Sequence, residues 1–242
     1  MEKLGTYIFN IEAYSTDFRG KATLPLISSF LLQVAANHAE KRGFGFSYMS
    51  KKKIAWVFSR LVIEMYEYPN NDTKVKVNTW VSDINKFFSE RCFALENEKG
   101  EIIGYARSLW AAIDMTTRRP TNILEMGDFF DYKLERECPI ESMKKILPLK
   151  DEEPVGKFTI RYSDIDINNH LNSVKYIEHF VDMFDVEMFK AKEIRRFEIS
   201  YQHEAHFGAR LKLYKKEEEN NIFQLEMRDD EKTISSAKVS WK

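Results

Sequence analysis

A dense group of hydrogen-bonding side chains occupies nine consecutive residues in the second half of the chain. The segment 164–172, DIDINNHLN, holds two aspartates, three asparagines and one histidine. Asp166, Asn168 and His170 alternate along it, and alternating side chains point to one side of an extended segment. A carboxylate, an amide and an imidazole on one side could activate water and stabilise negative charge on a carbonyl oxygen.

This group lies directly before an amphipathic segment, and that position supports a second interpretation. Aspartate and asparagine before a helix are typical N-caps, so Asn169 or Asn172 could serve only to begin the helix. The free N–H groups of a helix N-terminus are also a favourable place to stabilise an oxyanion. The residues alone leave catalysis and a capping network as equal alternatives.

Other familiar catalytic and cofactor motifs are missing from the sequence. It has no G-x-S-x-G, no G-x-G-x-x-G after a strand and no P-loop. The HEAH at 203–206 places its histidines three residues apart rather than four, which argues against a zinc protease helix. His170, His179 and Asp182 match no familiar metal-site spacing, so we expect no metal and no cofactor.

Length and composition indicate an ordinary globular protein of one large or two smaller domains. Of 242 residues, 43% are hydrophobic, and 37 Lys and Arg nearly balance 38 Asp and Glu, so charge does not indicate nucleic-acid binding. Cys92 and Cys138 form neither a disulfide framework nor a zinc finger, which favours a reduced environment. No apolar run could span a membrane and the N-terminal segment has no targeting character, so we expect a cytoplasmic protein.

Periodicity predicts two amphipathic helices among many strands. Residues 23–42 show a 3.6-residue apolar repeat with Thr23 as the N-cap and Gly43 after the end. Residues 172–189 show a second apolar stripe. Alternating or β-branched segments predict strands at 54–66, 74–82, 88–97, 101–114, 156–164, 194–202, 209–216, 222–228 and 233–241.

The two halves of the chain repeat one pattern. Each has a strand, a turn containing Tyr-Ser and an acid (Tyr14 in YSTD and Tyr162 in YSDID), an apolar helix and then several strands. An internal repeat of this kind predicts an α+β fold of two domains, each a helix packed on an antiparallel sheet. The tract between them loses its periodicity and is interpreted as a linker with a short helix.

Clusters of basic residues flank several strands. Lys51, Lys52 and Lys53 form one cluster, Arg118 and Arg119 a second, and residues 195–196 a third. They are interpreted either as solvated faces or as a docking surface for an acidic partner.

The segment DIDINNHLNSVKYIEHF strongly resembles the D-x-N-x-H-x-N-x-V-K-Y-I block of the acyl-acyl-carrier-protein (acyl-ACP) thioesterases. The likeness extends over nearly the whole chain through LLQVAANHAEKRGFG, IAWVFSRLVIEMYEYP, VNTWVS, RSLWAAIDMTTRRPTNI and EISYQHEAHFG. The family resemblance implies two fused hot-dog domains (a double hot-dog), each a long helix wrapped by an antiparallel sheet. We expect an N-terminal acyl-binding domain over 1–125, a linker over 126–150 and a catalytic domain over 151–242.

The resemblance also implies roles for individual residues. The family's acid, amide and histidine fall on Asp166, Asn168 and His170, and its strand glutamate falls on Glu204. Plant members carry a cysteine directly after that glutamate, where this chain has Ala205, so a cysteine nucleophile is excluded at that position.

A thioester needs little assistance to hydrolyse, because its leaving thiol has a pKa of about 8.5. Asp166 is assigned as base or nucleophile, Glu204 as the carboxylate that orients or activates water, and Asn168 and His170 as positioning groups. The first half lacks a D-x-N-x-H after its Tyr-Ser turn, so it is expected to line the acyl tunnel. The candidates for that lining, which could equally be plain core, are Phe30, Val34, Trp56 and Phe58.

These inferences predict a thioester hydrolase that releases fatty acid from acyl carrier protein and so terminates fatty acid synthesis. Its partner would be acyl carrier protein carrying a fatty acyl thioester, docked on the first two basic clusters. An acyl-coenzyme A thioesterase and a non-catalytic acyl-binding sensor are the alternatives. The fused halves already form an internal pseudo-dimer, which is compatible with a monomer or a homodimer.

Overall fold

The computed structural model describes residues 3–127, 131–142, 144–230 and 232–242. The chain forms two compact units, Met1–Ser142 and Met143–Lys242. Each unit contains helices and an antiparallel sheet, which confirms the predicted α+β class. Within the described ranges, no helix combines the length and the apolar character needed to cross a membrane.

The first unit is built on a five-stranded antiparallel sheet. Its strands lie side by side in the order β1-β3-β4-β5-β2. Helix α1 packs against β1 and β3, whereas the short helix α2 packs against β2. The elements are β1 (Gly5–Asn10), α1 (Leu24–Lys41), α2 (Phe46–Lys51), β2 (Ile54–Met65), β3 (Lys74–Ile84), β4 (Phe88–Glu96) and β5 (Ile102–Asp114).

Helix α1 forms where the sequence predicts it. The Thr23 hydroxyl accepts a hydrogen bond from the Leu26 N–H (3.2 Å), and Pro25 stands in the first turn, where its missing N–H leaves no bond unmade. Ile27, Leu31 and Val34 are fully buried on the sheet side. The helix therefore contributes one continuous apolar stripe to the core of the unit.

The second unit repeats the same topology. Its five strands lie in the order β6-β8-β9-β10-β7, so the first, third, fourth, fifth and second strands are neighbours as in the first unit. This equivalence confirms the predicted internal repeat. The elements are β6 (Gly156–Thr159), α3 (Ser173–Val181), α4 (Val186–Ala191), β7 (Ile194–Tyr201), β8 (Arg210–Glu219), β9 (Ile222–Arg228) and β10 (Thr233–Trp241).

The second predicted helix is interrupted. Residues 172–189 were expected to form one helix, but α3 ends at Val181 and α4 begins at Val186. The carboxylate of Asp185 accepts a hydrogen bond from the Met188 N–H (2.9 Å) and so starts a new helix. Phe184 lies in the break yet is buried, which is why the apolar stripe continues through it.

The segment expected to be a linker is hydrogen bonded to both units. Its first part is bonded to the first unit and its last part to the second unit. Arg107 donates hydrogen bonds to the carbonyl oxygens of Cys138 (2.6 Å) and Ile140 (2.8 Å) within the first unit. In the second unit, the Leu149 N–H donates to the buried carboxylate of Glu226 (2.6 Å). Residues 131 and 132 form a short 3₁₀ turn, and Lys133 then pairs with Val81. Residues 134–142 and 144–150 are irregular.

A buried polar group lies between α1 and the first sheet. His38 and Arg91 are both shielded from water, and Arg91 Nη1 lies 2.8 Å from His38 Nδ1 and 3.2 Å from the Thr79 hydroxyl. Gly5 of β1 lets the imidazole approach, because a Cβ there would lie 2.2 Å from the ring. Burial, followed by the charge of Arg91, lowers the pKa of His38 to about 2.

Replacing His38 by glutamine is expected to reduce the acid sensitivity of the fold. In the native protein His38 stays neutral, whereas in the unfolded chain it binds a proton below its ordinary pKa of about 6.5. Stability therefore falls as pH decreases below that value, by up to about 1.4 kcal/mol per pH unit from this residue. Urea unfolding of wild type and His38→Gln at several pH values between neutral and mildly acidic would show a smaller slope in the variant. Identical slopes would contradict the assignment.

Candidate active site

The polar segment 164–172 forms a tight turn rather than an extended strand. Ile165 and Leu171 pair as an antiparallel bridge, and the Asp166 N–H donates to the His170 carbonyl oxygen (2.8 Å). The Asn169 N–H donates back to the Asp166 carbonyl oxygen (2.9 Å), with Asn169 at φ 61°. The expectation that alternating side chains share one side of an extended segment is therefore wrong, because the backbone reverses within these residues.

One oxygen of the Asp166 carboxylate holds this turn together. Oδ1 accepts hydrogen bonds from the backbone N–H groups of Asn168 (2.8 Å) and His170 (3.2 Å). Oδ2 accepts no hydrogen bond from any residue in the described part of the chain. Asp166 thus has a structural oxygen and a second oxygen that is available for chemistry.

The turn is fixed beside the loop that carries Glu204. His170 pairs with His206 as an antiparallel bridge, and the Leu171 N–H donates to the Ala205 carbonyl oxygen (2.8 Å). This pairing places His170 Nε2 3.6 Å from Glu204 Oε2. His170 is about one-quarter exposed and Glu204 less than half exposed. The acid–histidine pair therefore borders solvent.

The capping interpretation holds for Asn172, one of the two asparagines for which it was predicted. Asn172 caps α3 by accepting a hydrogen bond from the Val174 N–H (2.8 Å). Its own N–H donates to the Asp164 carbonyl oxygen (2.8 Å), which joins the helix to the preceding 3₁₀ turn. Asn168 takes no part in the cap, and its side chain is exposed at the corner of the turn. Capping accounts for Asn172 and leaves the Asn168 amide unexplained.

Tyr176 and Tyr201 connect helix α3 to β7 and to the loop that carries Glu204. The sequence alone did not reveal these two residues. The Tyr176 hydroxyl donates to the His203 carbonyl oxygen (3.4 Å), and the Tyr201 hydroxyl donates to the Ser173 carbonyl oxygen (3.0 Å). Burial, with the Glu204 charge second, raises the pKa of Tyr176. Tyr176 therefore stays a neutral donor that ties α3 to the Glu204 loop. Tyr176 could have been found in the sequence as an aromatic residue on the buried face of the predicted helix.

The first unit contains the same turn. Asp17 Oδ1 accepts from the backbone N–H groups of Arg19 (2.8 Å) and Lys21 (3.2 Å), and the Asp17 N–H donates to the Lys21 carbonyl oxygen (2.8 Å). Gly20, at φ 72°, takes the place of Asn169. The repeat therefore aligns Asp17 with Asp166, one residue away from the alignment that matched Tyr14 with Tyr162.

The partner loop is repeated as well. The Ala22 N–H donates to the Pro69 carbonyl oxygen (2.8 Å), and Lys21 pairs with Asn70. These contacts correspond to those of Leu171 with Ala205 and of His170 with His206. By this register, the buried Tyr68 stands where the second unit has Glu204.

The two turns differ in the surroundings of the second carboxylate oxygen. In the first unit, Arg19 Nε and Nη2 donate to Asp17 Oδ2 at 2.9 and 2.7 Å, so its charge is neutralised. In the second unit, the residue at the Arg19 position is Asn168, which leaves the Asp166 carboxylate without a guanidinium partner. His170 and Glu204 of the second unit occupy the positions that Lys21 and Tyr68 occupy in the first unit. Only the second unit therefore combines two carboxylates, an amide and an imidazole at this turn.

Family models and solved structures agree with this architecture. The model described as the acyl-ACP thioesterase N-terminal domain matches residues 4–128, and that described as the C-terminal domain matches residues 148–242. The chain belongs to the acyl-ACP thioesterase family. The hot-dog fold predicted for both halves is thereby confirmed.

Individual members of the acyl-ACP thioesterase family align over most of this chain. Oleoyl-acyl carrier protein thioesterase 2 of Arabidopsis thaliana is 30% identical over an alignment of 217 residues, with 81% of this chain and 58% of the relative covered. Palmitoyl-acyl carrier protein thioesterase of Gossypium hirsutum is 30% identical over an alignment of 209 residues, with 81% of this chain and 51% of the relative covered. The chain spans somewhat more than half the length of these curated relatives.

Solved acyl-ACP thioesterases superpose over their full length. The crystal structure of an acyl-ACP thioesterase from Bacteroides thetaiotaomicron has a TM-score of 0.95 at 39% identity, with 99% of this chain and 98% of that chain covered. The 12:0-ACP thioesterase from Umbellularia californica has a TM-score of 0.89 at 21% identity and covers 100% and 98%, a likeness of fold alone.

The four residues expected to line an acyl tunnel lie in two places within the first unit of this acyl-ACP thioesterase fold. Phe30 stacks on Phe9 (ring centroids 4.2 Å apart), and Val34 is fully buried in α1. Trp56 donates from Nε1 to the Phe44 carbonyl oxygen (2.8 Å), and Phe58 stacks on Trp110 (4.6 Å). Half-buried Trp56 and Phe58 keep some exposed surface, whereas Phe30 and Val34 pack as core. Their contact with substrate stays a prediction.

The first two basic clusters lie together at one end of the first unit. Lys51, Lys52, Lys53, Arg118 and Arg119 are all exposed. The Met115 N–H donates to the Lys53 carbonyl oxygen (2.9 Å), which joins the turn after α2 to the turn after β5. We call these five residues the basic patch.

Alanine at Asp166 or at Asp17 is expected to destabilise its turn, because two backbone N–H groups lose their acceptor. The cost should be about 1–2 kcal/mol in either unit, whereas Asp166→Asn retains an acceptor oxygen and should cost clearly less. Urea unfolding of Asp166→Ala, Asp166→Asn and Asp17→Ala measures this. Equal losses for asparagine and alanine at position 166 would show that Oδ1 does not hold the turn.

Proposed function

We propose that this protein hydrolyses fatty acyl thioesters of acyl carrier protein to free fatty acid and carrier thiol. The observation that carries the proposal is the difference between the two turns. Asp166 Oδ2 lacks the guanidinium that neutralises its counterpart, and it stands on the same turn as an amide and an imidazole next to Glu204. The 39% identity to the acyl-ACP thioesterase of B. thetaiotaomicron over nearly the whole chain supports the substrate class.

In the proposed reaction Asp166 is the base. Its Oδ1 is held by two N–H groups, so Oδ2 is fixed in place at little entropic cost and can take a proton from water. The water oxygen then attacks the thioester carbonyl carbon. The carbon–sulfur bond breaks, and the departing thiolate receives the proton. The low pKa of a thiol, about 8.5, makes it a good leaving group.

The other three residues position the reactants. Glu204 lies within 3.6 Å of His170 Nε2, so its carboxylate favours the imidazole tautomer with the proton on that nitrogen. The exposed Asn168 side chain has an amide group that can donate to the carbonyl oxygen as it becomes negative. Glu204 and His170 together orient the water and the thioester.

The basic patch is the proposed docking site for the carrier protein. Five exposed cations on two joined turns produce a local positive potential, although the protein as a whole has a formal net charge of −1. Such a patch would attract an acidic carrier protein. The rate of hydrolysis should therefore be higher for the carrier thioester than for a coenzyme A thioester.

Asp166→Asn is expected to lower the rate of thiol release by at least about a hundredfold, because Oδ2 can no longer accept a proton. Asp17→Asn is the matched control, since it makes the same change in the same turn of the other unit. Its rate should stay within about twofold of wild type. Measured thiol release from acyl carrier protein substrates tests both. A full rate in Asp166→Asn, or stoichiometric acyl retention by wild type without thiol release, would reject the mechanism.

Reversing charge in the basic patch should impair the carrier substrate selectively. The double variant Lys52→Glu, Arg119→Glu is expected to lose at least about tenfold in kcat/KM toward acyl carrier protein thioesters. The same variant should act normally on a short soluble thioester that lacks the carrier. Lys74→Glu, Lys99→Glu, with two exposed lysines at the opposite end of β3 and β5, is the control. Equal losses in both double variants, or equal wild-type rates with coenzyme A esters, would contradict carrier docking.

A further inference from the structure

Three side chains with metal-ligating atoms converge at the proposed active site. Ligand atoms of His170, Glu204 and His206 all lie within 4.8 Å of one another. The two imidazole rings meet edge to face with centroids 4.8 Å apart. His206 has no part in the hydrolysis proposed above, so its place in this trio needs a separate explanation.

The backbone holds the trio in register. The bridge of His170 with His206 and the hydrogen bond of Leu171 with Ala205 fix the two loops side by side. His206 Nδ1 lies 3.3 Å from the Asn169 carbonyl oxygen. An oxygen acceptor at that nitrogen places the proton on Nδ1 and leaves Nε2 as a free lone pair, which is how metal-binding histidines are commonly oriented.

We propose that His170, Glu204 and His206 bind a divalent transition metal ion such as Zn²⁺, and that the bound ion stops hydrolysis. Two imidazole nitrogens and one carboxylate are a ligand set that Zn²⁺ prefers, with a fourth position left for water. Ligands about 2.0–2.2 Å from zinc lie roughly 3.3 Å apart in a tetrahedron, so the side chains must close by roughly 1.5 Å. Glu204 and His206 are exposed and can make that movement by rotation of their side chains.

Inhibition follows from which atoms the ion would occupy, and this half of the inference rests on the proposed function. A metal-bound His170 nitrogen cannot hydrogen bond to water or substrate. A metal-bound Glu204 carboxylate cannot set the His170 tautomer. The positive charge of the ion would also stabilise the Asp166 carboxylate and so make it a weaker base. Hard ions such as Mg²⁺ prefer oxygen ligands and should not compete.

No spacing pattern in the sequence pointed to this trio. His203 and His206 are three residues apart in HEAH, a spacing that argued against a zinc site on one helix. The histidine that faces His206 is instead His170, distant along the chain and brought close by the pairing of two loops.

Competition with a chromophoric zinc chelator would measure binding directly on the full chain, without reference to activity. Wild type is expected to take up Zn²⁺, His206→Gln to bind it at least about tenfold more weakly, and His203→Gln to match wild type. His206→Gln leaves all four proposed catalytic residues in place, and His203→Gln removes an exposed neighbouring histidine outside the trio. Unchanged binding in His206→Gln, or equal loss in both variants, would overturn the site.

Thiol release in the presence of Zn²⁺ tests the second half. Wild-type hydrolysis should fall over the concentration range in which the ion binds and recover fully with a chelator, with no effect of Mg²⁺. His206→Gln should require at least about tenfold more Zn²⁺ for the same inhibition. Hydrolysis that continues with zinc bound would overturn the inhibitory role. Zinc binding by a protein without any thioesterase activity would instead reject the proposed function and leave the metal site standing.

Discussion

A single carboxylate oxygen that accepts two backbone N–H groups organises each half of this protein. In both units the oxygen belongs to an aspartate that begins a reverse turn, and the turn leads directly into the N-cap of a core helix. The hydrogen bonds fix the direction in which the helix enters the core. They also fix the position of the following loop, because the residue before the N-cap pairs with a second loop through its own N–H. Local hydrogen bonding is thereby coupled to the packing of each unit.

This constraint separates the scaffold from the chemistry. Asp17 and Asp166 form the same hydrogen bonds through Oδ1, and the two turns differ in what surrounds Oδ2 and in the facing loop. A guanidinium in the first unit pairs with the carboxylate, whereas the second unit has an amide at that position and, among the described residues, no cation bound to Asp166. Glu204, the acidic partner of His170, corresponds to the buried Tyr68 of the first unit. One geometry thus supports a structural turn in one copy and a proposed catalytic turn in the other.

The sequence predicted the elements of the fold well and the turn poorly. Strands and helix α1 follow from periodicity, since each buries one face against its neighbours. The break between α3 and α4 was missed because buried Phe184 continues the apolar stripe across it, although Asp185 was a visible cap. The alternation of side chains at 166–170 suggested an extended segment. Instead, the Asp166 carboxylate accepts hydrogen bonds from the N–H groups that follow it, and the backbone reverses direction. Tyr-Ser matches misaligned the repeat by one residue, because the hydrogen-bonding aspartate, not the tyrosine, occupies equivalent positions.

The site residues show the same division. Glu204 could be named from the family resemblance, and its approach to His170 depends on a bridge between two loops that no local pattern reveals. The approach of His206 to the site was missed for that reason, whereas Tyr176 lies on the buried face of a helix that the sequence did predict. The basic patch was named from charge alone. Its two clusters become one surface because β2 pairs with β5 up to Ile54 and Asp114, and the hydrogen bond of Met115 with Lys53 continues that pairing.

The buried tyrosine of the first unit has a consequence for design. Asparagine and histidine at positions 19 and 21 would recreate the motif on a turn whose backbone is already in place. Glutamate at position 68 is a different matter, because Tyr68 is 5% exposed and a carboxylate there would lose its hydration. Installing a second active centre in this chain would therefore require the first unit to be repacked around position 68 before the new turn could be useful.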